Sequence, residues 1–219
     1  MRLEKLVFGS LLSYSPHGTG NLDKQSRSIT YYIKQDAYVT TSAKAKSVLM
    51  SDLIAQTVKE EMPHLEFSSI FDGHPLLVPT PSSSLKKEGS LDVALRIATA
   101  LGRELGCDMS ECLKRVTPLP KSATSLAANR SKADQHFASL EVQKPLHDPK
   151  SILLVDDVVT RGATLLGAAN RLLATYPDCS IKAFTAMRTV SNPSEFKTIE
   201  ETAFGTITLT QNGETRRRP

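Results

Sequence analysis

The chain has 219 residues, 40% of them apolar and 23% charged, which suits one domain with an ordinary core and excludes a disordered or collagen-like chain. A net charge of +4 is too small to demand a nucleic-acid partner and suits an anionic small molecule equally well. No run approaches the roughly 18–20 apolar residues that span a bilayer, and Cys107, Cys112 and Cys179 lack Cys-x-x-Cys spacing, so reduced thiols are expected rather than disulfides or a zinc site.

Residues 6–12 form the longest N-terminal apolar run; it follows Glu4 and has no small-residue cleavage site, which sets the expectation of a cytoplasmic protein. Residues 15–21, Ser-Pro-His-Gly-Thr-Gly-Asn, carry loop chemistry. Residues 29–33, Ile-Thr-Tyr-Tyr-Ile, are β-branched and aromatic and read as a strand. Val48, Leu49, Leu53, Ile54, Val58 and Met62 then recur at spacings of the helical period until Pro63. Residues 76–81 read as a short buried strand ending in a Ser-rich turn, and Leu91, Ala94, Leu95, Ala98, Leu101 and Leu105 mark the next helix. Residues 117–136 have little apolar pattern and many basic and small residues, which suggests a long functional connection with one helical turn. A strand at 151–155, a helix at 164–176, a strand at 181–187 and a β-rich segment at 205–209 complete the chain. Strands alternating with helices predict an α/β fold, with a mainly parallel sheet flanked by helices.

In an open parallel sheet, ligands bind beyond the carboxyl ends of the strands. After the 151–155 strand stand Asp156, Asp157, Val158, Val159, Thr160, Arg161, Gly162, Ala163 and Thr164. The first N–H groups of a helix lack intrahelical partners and favour an anion. Thr160 and Thr164 add hydroxyls, and Gly162 permits close backbone approach, so the segment reads as a phosphate cradle. Two carboxylates beside a phosphate need another task, and ribose hydroxyls or Mg²⁺ supply one. The plainer alternative has Asp156 and Asp157 capping the helix and Gly162 serving a tight turn.

The stretch Ile152-Leu-Leu-Val-Asp-Asp-Val-Val-Thr-Arg-Gly-Ala-Thr-Leu165 closely resembles the phosphoribosyl pyrophosphate (PRPP) motif of type I phosphoribosyltransferases. Val78-Pro-Thr-Pro81, Leu113-Lys-Arg115, Lys121-Ser-Ala, Arg130 and Phe137 resemble the ComF-like branch. The likeness covers residues 76–188. It implies a single type I phosphoribosyltransferase domain over 1–219, with its core at about 76–188 and a small hood from the N-terminal segment, optionally joined by the C-terminal one. It further implies that Asp156 and Asp157 contact the ribose hydroxyls and hold Mg²⁺ through them or through water, and that Thr160, Arg161, Gly162, Ala163 and Thr164 hold the 5′-phosphate. Thr80, Ser82 and Ser83 would face the diphosphate. Residues 117–136 would be a lid on which Lys121, Arg130 or Lys132 neutralises the leaving group. The activity implied is Mg²⁺-assisted transfer of ribose 5-phosphate to a nitrogen nucleophile with release of pyrophosphate, Asp156, Asp157 and Thr160 being the catalytic candidates.

Three departures bound this expectation. Arg161 replaces a small hydroxyl residue, Thr160 stands where purine-type relatives carry an acid, and no cysteine precedes Cys107, so no zinc module is expected. A PRPP-binding regulator without transferase chemistry, and an accessory protein of DNA uptake or processing, are the alternative functions. A homodimer is compatible with the pattern, a membrane is not expected, and nucleic acid enters only weakly through Arg216, Arg217 and Arg218, which read first as a solvated tail. His17, His64, His74, His136 and His147 lack metal-ligand spacing and suit loops or the surface. There is no Gly-x-Ser-x-Gly nucleophile setting and no P-loop.

Overall fold

A computed structural model of the chain describes residues 3–41, 46–120, 131–143 and 149–219. In chain order the elements are β1 (Lys5–Tyr14), α1 (Asn21–Gln35), β2 (Tyr38–Thr41), β3 (Lys46–Leu49), α2 (Met50–Glu61), β4 (Leu76–Pro79), α3 (Val93–Leu105) and β5 (Leu113–Arg115). There follow α4 (Ala133–Ala138), β6 (Leu140–Val142), β7 (Ser151–Val159), α5 (Ala163–Thr175), β8 (Ser180–Thr189), β9 (Ala203–Leu209) and β10 (Thr215–Arg218).

Six strands form the central sheet in the order β10-β9-β1-β8-β7-β4. The pairs β1–β8, β8–β7 and β7–β4 are parallel, whereas β9 runs antiparallel to both β1 and β10. The α/β architecture with a mainly parallel sheet is therefore as the alternating pattern predicts. Along β7, Leu153 and Val155 enter a core with Ile33, Ile54, Val58, Ile97 and Leu101, whereas Ile152 and Leu154 face Leu165, Leu166 and Leu172. Helices cover both faces, which is why the strand reads as a continuous apolar run instead of alternating.

The sequence expectation fails most clearly at residues 29–33, which lie inside α1. Ser26, Thr30 and Ile33 are buried there, Leu22 and Ile29 pack beside them, and Tyr31 and Tyr32 face outward. Local β-propensity is a weak preference, and the 3.6-residue burial of one helix face overrides it. Asp36 then closes α1 in the left-handed region at φ 42°. Its buried carboxylate accepts the Ser51 N–H at 2.8 Å and pairs with Arg96 at 3.1 Å, joining the end of α1 to α2 and α3.

Two further corrections concern strand lengths. β7 does not stop at Val155: it pairs with β8 through Asp156, Val158 and Val159, so both acids lie on the strand and not beyond it. The arginine-rich end is no solvated tail but the edge strand β10, with Arg216 and Arg218 exposed and Arg217 turned inward. The N-terminal segment, expected in a hood, contributes β1 to the middle of the sheet, and the β2–β3 hairpin forms a separate small sheet. The three cysteines are free and buried, in keeping with ordinary thiols, and burial pushes the Cys179 thiol up to about 11. Among the described residues no helix is long and apolar enough to cross a membrane.

Candidate functional site

A cleft of about 180 Å³ opens where β7 gives way to α5. It is lined by Asp156 and by Thr160, Arg161, Gly162, Ala163 and Thr164, together with Lys34 of α1, Lys132 just before α4, and Glu214 before β10. Five consecutive cradle residues and one of the paired acids thus share one concavity. Gly162 precedes α5 at φ 84°, and no side chain caps the helix. Its carbonyl accepts the Leu166 N–H at 2.9 Å, which leaves the first-turn N–H groups without intrahelical acceptors.

Gly162 has a second task that the sequence does not reveal. A Cβ on it would meet Ile207 Cδ1 of β9 at 2.5 Å, so the missing side chain makes room for the sheet. Thr160 is exposed, and its hydroxyl is 3.4 Å from that of Thr189.

The acid pair is electrostatically loaded. Asp157 Oδ2 receives the Lys34 ammonium at 3.1 Å and Oδ1 accepts the Val158 N–H at 2.6 Å. Asp156 Oδ1 accepts the Asp157 N–H at 3.0 Å. Burial, then the adjacent Asp157 charge, hold the Asp156 carboxyl well above the usual carboxylate range. Burial opposes the Lys34 charge, but Asp157, Asp156 and Tyr14 more than offset it and raise the ammonium above its ordinary value. The Mg²⁺ expected near Asp156 and Asp157 is one held through ribose hydroxyls or water; Lys34 occupies one Asp157 oxygen, and among the described residues no three His, Cys, Asp or Glu side chains gather as a metal site.

The turn expected to face a diphosphate follows β4, which pairs with β7 so that Pro79 lies opposite Val155. The Thr80 N–H binds the Val155 carbonyl at 2.8 Å, and Thr80 is buried, its hydroxyl without a partner among the described residues. Thr80, Ser82 and Ser83 are neighbours of the acid-bearing strand but do not line the 180 Å³ cleft. Arg115 on β5 fixes the turn: Nε donates to the Ser82 carbonyl at 2.7 Å, Nη2 to the Pro81 carbonyl at 3.2 Å, and Nη1 to the Ser139 hydroxyl. Burial lowers the Arg115 pKa, with Asp156 acting against it. Of the lid candidates, Lys121 and Arg130 lie outside the described residues, whereas Lys132 reaches the cleft.

His136 is buried in α4, contrary to the surface or loop position expected, with Nε2 3.4 Å from the Thr164 hydroxyl of α5 and Nδ1 without a partner among the described residues. Burial first, then the Arg115 charge, push its pKa down from 6.5 to about 4. The folded state therefore binds this proton less readily than the unfolded chain. The stability associated with neutral His136 is complete above pH 6.5 and is lost as the pH falls toward 4, amounting to about 3 kcal/mol. Urea unfolding from pH 7 to pH 4 is expected to show this component in the wild type, and its absence in His136→Gln. Identical pH profiles for the two proteins would remove His136 as its source.

Lys34 and Glu214 line the cleft although no sequence pattern marks them, and Arg217 braces its edge. Arg217 donates from Nε to the Thr160 carbonyl at 2.8 Å and from Nη2 to the Thr189 carbonyl, and it lies 5.8 Å over the Phe8 ring. Burial and then Arg188 lower its pKa to about 10. These carbonyl bonds tie the start of the 160–164 turn to the end of β8. Glu214 Oε2 meets Arg161 Nη1 at 3.0 Å and Glu214 Oε1 meets Lys132 Nζ at 3.7 Å.

No family model and no curated protein matches the chain. Among solved structures it is similar to a purine phosphoribosyltransferase from Pyrococcus horikoshii, at 16% identity over 68% of this chain and 92% of that one, with a TM-score of 0.34. It is also similar to TT1426 from Thermus thermophilus, at 13% identity over 67% of this chain and 83% of that one, with a TM-score of 0.33.

Proposed function

We propose that the chain is a phosphoribosyltransferase that binds PRPP and transfers ribose 5-phosphate to a nitrogen nucleophile, releasing pyrophosphate. The observation that carries this reading is one cleft in which Asp156, within β7 beside Asp157, meets the 160–164 turn at the start of α5. The PRPP-like motif of the sequence coincides with it.

In this reading the crowded carboxylates accept hydrogen bonds from two ribose hydroxyls, donors that relieve the repulsion between Asp156 and Asp157. Lys34 offsets the Asp157 charge so that a phosphorylated sugar is not repelled. The first-turn N–H groups of α5, the Thr164 hydroxyl, Arg161 and Lys132 take the 5′-phosphate. Arg115 holds the 81–84 turn in position for the diphosphate. As the C1–O bond to pyrophosphate breaks, its electron pair departs with the leaving group, the acceptor nitrogen bonds to C1, and the proton the nitrogen sheds passes to solvent or to the released pyrophosphate. The protein's contribution is positioning and preorganised charge. Mg²⁺ would supply charge neutralisation for the diphosphate, with Asp156 and Asp157 reaching it through the ribose hydroxyls or through water. α1 and the β2–β3 hairpin would supply the hood over the acceptor.

One observation favours a second reading, a PRPP-binding regulator. The Thr160 carbonyl is tied to Arg217 and its hydroxyl lies near Thr189, so no acid stands at that position to accept the acceptor's proton. Calorimetric titration of PRPP with Mg²⁺ tests the binding step, with saturable heat expected and its absence overturning both readings. Pyrophosphate release with a panel of amines and nucleobases then separates them: release supports the transferase, and binding without release supports the regulator.

A further inference from the structure

We propose that Glu214 is a resident anion of the phosphate cradle, which an incoming phosphomonoester dianion must displace and which thereby sets the affinity and charge selectivity of the site. The inference rests on the cradle reading above and concerns a residue outside the PRPP-like motif.

The charge arrangement leads to it. The charged side chains lining the cleft are Lys34, Lys132, Arg161, Asp156 and Glu214. Lys34 is committed to Asp157 at 3.1 Å. The two remaining cations, Arg161 and Lys132, both converge on the Glu214 carboxylate, at 3.0 and 3.7 Å. With Glu214 in place, the cations nearest the start of α5 face a carboxylate of this chain. A phosphate entering the cleft meets that negative charge and competes with it for the same donors.

The displacement requires only a side-chain movement. The Glu214 backbone is held in the β9–β10 turn, where its carbonyl accepts the Thr210 N–H at 2.8 Å and its N–H donates to Asn212 Oδ1 at 3.2 Å. Gly213 occupies the left-handed region at φ 80°. Lys132 keeps a separate bond to the Asn212 carbonyl at 3.1 Å, so it stays at the cleft when the carboxylate leaves. All three side chains are more than one-third exposed, and exposed ion pairs are individually weak. A dianion that accepts charge-assisted bonds from Arg161 and the helix N–H groups together outcompetes the carboxylate. A neutral sugar or a monoanion gains too little to do so. Glu214 therefore lowers the affinity of the cradle for every anion, and of these only a dianion still displaces it.

The test is calorimetric titration of ribose 5-phosphate and inorganic phosphate, at low and at high ionic strength, into wild type, Glu214→Gln, Arg161→Gln and the double variant. Glutamine keeps the shape at a partly exposed position, so folding is preserved. Glu214→Gln is expected to bind ribose 5-phosphate about fivefold more tightly at low salt, the scale of one exposed ion pair released, with the gain shrinking at high salt. In the Arg161→Gln background the same substitution should gain less than half as much, because part of the competition has been removed. Equal or weaker binding by Glu214→Gln, with saturable binding by wild type, overturns the resident-anion role and leaves the cradle standing. An equal gain in both backgrounds also overturns it, since Glu214 would then act as a distant charge. Absence of ribose 5-phosphate and phosphate binding in all four proteins overturns the cradle itself.

Discussion

An Asp156→Asn, Asp157→Asn double variant is expected to lose PRPP affinity by at least about 100-fold while remaining folded. Hydrogen bonds to charged acceptors contribute about 1.5–3 kcal/mol each, and two lost together correspond to two or more decades in Kd. Folding should be spared for residue-specific reasons. Asparagine retains an oxygen to accept the Asp157 and Val158 N–H groups now bound at 3.0 and 2.6 Å. The Lys34–Asp157 ion pair is partly exposed and costs about 1 kcal/mol or less to remove. Neutralising Asp156 removes a carboxylate whose charged form is disfavoured by burial and by its neighbour. Calorimetry with Mg²⁺-PRPP and a thermal melt on the same protein separate the two effects. Wild-type affinity in the variant would exclude the pair from ribose contact, and loss of binding with a collapsed melt would make it structural.

The second large effect is expected at Gly162. Valine there would hold a β-branched residue at φ 84° and drive its Cβ against Ile207, whose Cδ1 lies 2.5 Å from the position a Cβ would take. Left-handed strain and overpacking each cost about 1–3 kcal/mol. A loss of about 3 kcal/mol lowers Tm by roughly 6–12 °C in a chain of this size. Because β9 and α5 meet at this point, the start of α5 shifts and phosphate affinity falls with stability. Ile207→Ala in the Gly162→Val background relieves the contact but not the backbone strain, so partial recovery of Tm is the expected signature. A Gly162→Val protein with wild-type melting and binding would contradict both the packing and the cradle geometry.

What is legible in the sequence is what lies contiguously along it. β7, the 160–164 turn and α5 are one uninterrupted segment, so apolar run, acids, glycine and helix start can be read in order. Even there the strand end is misplaced, because parallel pairing with β8 carries β7 through Val159, a constraint invisible in the segment itself. The rest of the cleft comes from afar. Lys34 arrives on α1, whose middle resembles a strand in composition and declares itself a helix only through the burial of Ser26, Thr30 and Ile33. Glu214 and Arg217 sit on a hairpin whose second strand, Thr-Arg-Arg-Arg, carries no apolar alternation. It forms because β9 offers an edge to pair with and because Arg217 finds the Phe8 face and two carbonyls. Thr80, Ser82 and Ser83 lie beside the acid strand but do not line the 180 Å³ cleft, and Arg115 holds the turn through its carbonyls.

The position of β1 governs how the molecule is assembled. Phe8 lies opposite Ala183 in the parallel pairing with β8 and opposite Gly205 in the antiparallel pairing with β9, so the middle of the sheet joins strands far apart in sequence. Pairing of this kind closes a long loop before it gains contacts, which slows folding and lengthens the life of intermediates. Until β8 is made, β1 is an apolar strand with both edges bare, prone to pair with another chain. A fragment covering only residues 76–188, the span of the family-like motifs, would present the same hazard from the other side, as β8 without its central neighbour. Co-expressing the missing β1 segment as a separate peptide should restore such a fragment to solution, in the manner of donor-strand complementation.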